Sequence, residues 1–198
     1  MKNRIIIAGK AGSGKNLVAT LLEDEWLNLS LFTRAEIAAF ADPIKNMVMQ
    51  MFPNTDRQIL WGNSELRATK IEGTNKTYRD LLCDLGKLGR SYLNDIWVNS
   101  ILSFNSKDDY YLFIVADARF ISELEIAKNK GYFLIRIIRP ENIHSSDEKL
   151  LKDISETNLD SVPNSYFDAV IINDGTKEQL KQKVAELFRL YINPTKSA

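Results

Sequence analysis

Seven residues near the start of the chain, Gly9-Lys10-Ala11-Gly12-Ser13-Gly14-Lys15, have the types and the spacing to hold a phosphate chain. They match the GxxxxGK core of a Walker A loop. Glycines let successive backbone N–H groups turn toward one anion, a following helix N-terminus adds partial positive charge, and Lys15 can reach the β and γ phosphates. Charge-assisted hydrogen bonds of this kind contribute roughly 1.5–3 kcal/mol each, so several together hold a triphosphate without a basic surface elsewhere. Asn16 stands after the lysine, where Ser or Thr would ligate Mg²⁺, and Leu17 follows. An amide oxygen is a weaker ligand, so either a carboxylate elsewhere carries the ion or nucleotide affinity is reduced. A glycine turn that merely joins a strand to a helix is the plain alternative.

Such a loop needs a strand before it and a helix after it, and the flanking residues supply both patterns. Residues 3–8, N-R-I-I-I-A, form a short β-branched run ending in glycines, the signature of a buried strand. From Asn16 to Leu29, Leu17, Val18, Leu21, Leu22 and Trp26 gather on one side of a helix. Further runs of strand length are Glu36 to Phe40, Tyr110 to Ala116, Tyr132 to Ile138 and Asp168 to Ile172. Between them, Tyr78 to Arg90 puts Leu81, Leu82, Leu85 and Leu88 together, Asn94 to Phe104 buries Trp97 and Ile101 behind an Asn94 cap, and Ile121 to Lys130 stops at Gly131. In the last helix Thr176 and Gln179 make a capping box ahead of Leu180, Val184, Leu187 and Tyr191. Strands alternating with helices predict an α/β fold, a parallel sheet covered on both faces. Residues 63–77 and 141–163 lack periodicity and are read as mobile flaps over a site.

Other residues could complete a phosphate-transfer site. Asp117 follows an apolar run, which puts its carboxylate at the C-terminal edge of a strand, where open α/β sheets bind ligands. Arg119 and Glu123 come next; Asp117 could instead cap the next helix, with Arg119 and Glu123 a surface pair. Arg139 ends another strand and could close over phosphates. Asp42 and Lys45 follow the second strand, and Arg79 and Arg90 bracket a helix where they could meet an acceptor's monophosphate, although solvated arginines are as common there. His144 lacks companions at metal spacing and is given no catalytic duty, and Cys83, beside Leu82 and Leu85, is read as a small core filler.

Composition narrows the classes. With 198 residues, 44% hydrophobic, the chain can bury a core, and 26 Lys+Arg against 26 Asp+Glu give no overall basic field for nucleic acid or an anionic membrane. One cysteine, no apolar leader and no run of about 20 apolar residues fit a cytoplasmic protein without a disulfide framework. No base-reading NKxD or early DxxG is present, which disfavours a switch GTPase.

Several short motifs occur in order over nearly the whole chain: residues 9–16, F-A-D-P-I-K at 40–45, R-D-L-L-C-D-L-G at 79–86, D-A-R-F-I-S-E at 117–123, I-R-P at 138–140, I-S-E at 154–156 and I-N-D-G-T at 172–176. Together they resemble the bacteriophage-type deoxynucleoside monophosphate kinases. The resemblance implies a three-layer P-loop kinase fold with a parallel five-stranded sheet, a helical substrate-binding insertion at about 42–105 and a lid at about 140–163. It implies transfer of the γ-phosphoryl of ATP to a dNMP with Mg²⁺. ATP would then lie on Gly9, Lys10, Ala11, Gly12, Ser13, Gly14, Lys15 and Asn16, with Lys15, Arg119 and Arg139 catalytic. Asn16 and Asp117 would serve the metal, and Asp42, Lys45, Arg79, Arg90, Asp117, Glu123 and the lid's Glu156 the acceptor, with Ser155 beside Glu156. The family usually carries Asp then Thr after the lysine, and often Gln and Thr at positions 83 and 87, so base selectivity does not carry over. A kinase for another small acceptor, such as dephospho-coenzyme A, or a nucleotide-binding module without catalysis stays open, as does a homodimer.

Overall fold

In the computed structural model, residues 2–103, 109–140 and 159–193 are described, and they divide into two compact units, residues 40–103 and the rest. The larger unit is built on five strands, β1 (Arg4–Ala8), β2 (Arg34–Ala38), β3 (Tyr111–Ala118), β4 (Phe133–Ile138) and β5 (Ala169–Ile172). They run parallel in the order β2-β3-β1-β4-β5. Their apolar runs are continuous because both faces are covered. One face, with Ile5, Ile7, Leu112, Ile114, Phe133, Ile135, Ile137 and Ile171, packs on α1 (Lys15–Leu27) and α7 (Lys177–Leu187) through Val18, Leu22, Trp26, Leu180, Val184 and Leu187. Residues of the other parity, Ile6, Phe113, Val115 and Leu134, are buried too, and α6 (Ile121–Asn129) packs against β4. Each large aliphatic side chain buried here contributes about 1.5–3 kcal/mol.

Because β1 is central, the chain first builds β2 and β3 on one side and then crosses to β4 and β5 on the other. That makes the C-terminal end of β1 a topological switch point, and the 9–14 loop starts there. Beside it the pairing slips: Ile6 faces Val115 but Ala8 faces Ala118, so β3 spends one residue more than β1 over this step. A bulge of this kind re-aims the side chains around it, here Ala116 and Asp117.

The second unit holds α2 (Asp42–Met51), α3 (Arg57–Trp61), a 3₁₀ turn (Ser64–Ala68), α4 (Tyr78–Tyr92) and α5 (Ile96–Leu102). Its core is Val48, Leu60, Ile71 and Tyr78, flanked by Phe52, Trp61, Leu81, Leu82 and Leu85. The Thr77 hydroxyl accepts from Asp80 N at 3.2 Å while the Asp80 carboxylate accepts from Thr77 N at 2.8 Å, so α4 starts on a reciprocal cap.

Several sequence expectations are corrected here. Residues 63–77 are structured: Asn63 caps the 3₁₀ turn, Lys70 and Thr77 form an antiparallel bridge, and Ile71 is buried between them. Cys83 is exposed, and Leu88 is 54% exposed, because α4 buries only one narrow face. In α5 the buried residues are Val98 and Leu102 instead of Trp97 and Ile101, and the helix starts after Asp95 with no side-chain cap. The lid stretch 141–158, with His144, Ser155 and Glu156, and residues 104–105 of the expected insertion lie outside the described residues.

Candidate functional site

The glycine loop is a strand-to-helix turn whose peptide carbonyls are taken up by side chains. Lys15 Nζ donates to Gly9 O at 2.6 Å and Lys10 O at 2.7 Å, Arg139 Nη1 donates to Gly12 O at 3.2 Å, and Asn173 Nδ2 donates to Ser13 O at 2.9 Å. A short turn closes inside it, Ser13 N to Lys10 O at 3.2 Å. Glycine is required at both ends. A Cβ on Gly9 would stand 2.5 Å from Ile137 O, and Gly14, at φ 102°, would place one 2.7 Å from Asn173 Nδ2. Ser13 Oγ is buried against Gly9 and has no hydrogen-bond partner among the described residues.

α1 begins on Gly14 with no side-chain cap and no acidic residue in its first turn. By contrast α4 and α7 carry capping boxes, Thr77 with Asp80 and Thr176 with Gln179. The start of α1, with the positive end of its dipole and no side-chain cap, therefore suits an anion. Asn16 is exposed on that first turn, Asp117 is half-buried at the β3 bulge, and Lys15 is buried. One amide oxygen and one carboxylate suit Mg²⁺, which keeps several waters and binds substrate phosphates beside one or two protein oxygens. No group of three or more His, Cys, Asp or Glu among the described residues could hold a metal unaided.

Glu123 is buried in the first turn of α6. Its Oε2 accepts Arg119 N at 2.7 Å and Phe120 N at 3.0 Å, so it clamps the turn that carries Arg119 into α6. Burial pushes its pKa up to about 7, raised further by Asp117, while the two N–H bonds and Arg119 pull the other way. Asp117 is not the cap of α6, which has no side-chain cap at its N-terminus.

In the second unit Asp42 Oδ1 accepts from Lys45 Nζ at 3.0 Å and Trp61 Nε1 at 2.9 Å, and Lys45 is buried beside the Trp61 ring. Arg79 donates to Ser64 O at 2.8 Å. Arg90 is exposed on the last turn of α4. The structure thus brings together residues 9–16, Arg139 and Asn173 around one loop; Asp42 and Lys45 form a separate pair.

Three residues escaped the sequence reading. Asn173 belongs to the quoted I-N-D-G-T run but was given no role. Arg136, on β4, donates to Val162 O at 2.6 Å, Leu159 O at 3.1 Å and Asn164 Oδ1 at 3.0 Å, tying down the chain as it returns to the sheet. Asp160 in that return pairs with Lys10 of the loop at 3.1 Å. Only the spacing of a polar residue after a strand hinted at any of them.

Known proteins bear on this arrangement. The profile of the family described as deoxynucleotide monophosphate kinase matches residues 78–184. A protein of Acanthamoeba polyphaga mimivirus, provisionally named as such a kinase, is 28% identical over 90% of this chain and 92% of its own length. The deoxynucleotide monophosphate kinase of Escherichia phage RB69 is 32% identical over 50% of this chain and 37% of its own. Among solved structures, a shikimate kinase from Bacteroides thetaiotaomicron aligns with a TM-score of 0.54 at 14% identity over 94% of this chain and 96% of that one, a likeness of fold. With a matched profile spanning more than half its length, the chain belongs to the deoxynucleotide monophosphate kinase family.

Proposed function

We propose that this chain transfers the γ-phosphoryl group of ATP to a deoxynucleoside monophosphate, giving ADP and a deoxynucleoside diphosphate. The observation that carries the reading is the loop at residues 9–14, whose carbonyls are held by Lys15, Arg139 and Asn173 ahead of an uncapped helix. Residues 9–16 hold the donor's phosphates, with Lys15 moving from its two carbonyls to the β and γ oxygens. An oxygen of the acceptor's phosphate attacks the γ phosphorus, the bond to the β–γ bridging oxygen breaks, and ADP leaves with that electron pair. The acceptor phosphate is already anionic, so no general base is needed; alignment and charge stabilisation carry the reaction.

Arg119 and Arg139 neutralise charge on the moving group, and Glu123 keeps the Arg119 turn in place. Asn16 and Asp117 would hold Mg²⁺, which when bound draws charge from the β and γ oxygens. Asp42, Lys45, Arg79 and Arg90 of the 40–103 unit form the acceptor side. The acceptor's anionic phosphate suits the arginines, and the paired Asp42 and Lys45 offer a donor and an acceptor for its sugar or base. An arginine that acts on the transition state is worth about 10³-fold or more in turnover. Arg119→Ala and Arg139→Ala are expected to lose that much in kcat with ATP and a dNMP; variants within a few-fold of the parent would reject the assignment.

A further inference from the structure

Asn173 lies 160 residues from the loop it touches, at the first position after β5. Its own backbone is pinned, since its N–H donates to Ile138 O at 2.7 Å across the end of β4. Its side-chain amide then fills the space where a Cβ on Gly14 would stand and donates to Ser13 O. The next residue, Asp174, is paired with Lys183 at 2.7 Å.

The peptide held in this way joins Ser13 to Gly14. In a trans peptide the carbonyl and the following N–H point in opposite directions. Holding Ser13 O toward Asn173 therefore turns the Gly14 N–H away from it. A peptide followed by glycine rotates readily because no Cβ opposes the turn, and Gly14 already has a positive φ. Without a partner for Ser13 O, that N–H would be free to point either way.

We propose that Asn173 is a positioning residue for the donor nucleotide, locking the Ser13–Gly14 peptide so that the Gly14 N–H faces the triphosphate. The proposal rests on the reading of residues 9–15 as the donor's phosphate loop. It assigns Asn173 to ATP affinity and leaves the acceptor untouched. It also accounts for an amide here: a carboxylate would set a negative oxygen against Ser13 O, next to the phosphates.

The test compares the full-length parent with Asn173→Ala and Asn173→Asp, measuring ATP affinity by calorimetry, KM for ATP and for dNMP, kcat and melting temperature. Loss of one neutral hydrogen bond predicts about 2- to 12-fold weaker ATP binding for Asn173→Ala. Asn173→Asp is expected to lose more than Asn173→Ala, with KM for the dNMP within about twofold of the parent in both. ATP affinity unchanged in both variants would overturn the proposal, as would ATP and dNMP constants that rise in parallel with a fall in melting temperature, the sign of general loosening. A parent chain that phosphorylates dNMP while its variants bind ATP normally would sink Asn173 alone. A parent that binds no ATP would take the phosphate-loop reading down with it.

Discussion

Glu123→Gln isolates the one carboxylate among the described residues that is buried and whose ionisation the fold opposes. In the native chain its pKa is pushed up to about 7 from an ordinary 4.5, chiefly by burial. The native state therefore keeps a proton that the unfolded chain gives up, and stability falls as pH rises from about 4.5 to about 7. At 1.36 kcal/mol per pKa unit, the ionised carboxylate costs at most about 3 kcal/mol above pH 7. The substituted amide would keep an oxygen for the N–H groups of Arg119 and Phe120 without an ionisable proton. Urea unfolding at pH 5, 6, 7 and 8 is the assay. The variant should gain on the parent steadily from pH 5 to 7 and hold that gain at pH 8. Glu123→Ala, which leaves two donors without their acceptor, should lose about 1–3 kcal/mol even at pH 5. Parallel curves for the parent and Glu123→Gln across the range would refute the reasoning.

Gly9→Ala drives a Cβ to 2.5 Å from Ile137 O and should destabilise the chain by about 1–3 kcal/mol, measured by thermal unfolding, while raising KM for ATP. Asp80, half-buried in the first turn of α4, has its pKa lowered mainly by its bond from the Thr77 N–H and then by the Thr77 hydroxyl. Its contribution is present above the ordinary carboxylate pKa and fades as pH falls through its lowered value, so Asp80→Asn should narrow the gap to the parent in unfolding assays carried into that acid range.

The β-branched run before Gly9, the strand runs at 110–116 and 132–138 and the helix after Lys15 were legible because each carries its own period in sequence, and the sheet follows from their alternation. The loop was legible for the same reason: its glycines and lysine are local. What the sequence hid depends on distant partners. Asn173 and Arg136 act on backbone carbonyls supplied by other segments, which no periodicity records. Glu123 could be read as a surface partner of Arg119 at helical spacing, yet its carboxylate turns back to accept the N–H groups of Arg119 and Phe120. Cys83 and Leu88 misled because a helix in a small unit buries a narrower stripe than its apolar residues suggest. Residues 63–77 held no period because a 3₁₀ turn and a two-residue bridge are too short to show one.

The central claim is that residues 9–15 hold a donor triphosphate whose terminal group passes to a deoxynucleotide. Its most direct test is to incubate the chain with ATP labelled in its γ-phosphate, Mg²⁺ and each of the four dNMPs, and to separate the products by chromatography. Label should appear in a deoxynucleoside diphosphate with the parent chain and fall by at least about 10²-fold with Lys15→Ala. Label in no deoxynucleotide, or transfer undiminished in Lys15→Ala, would contradict the account.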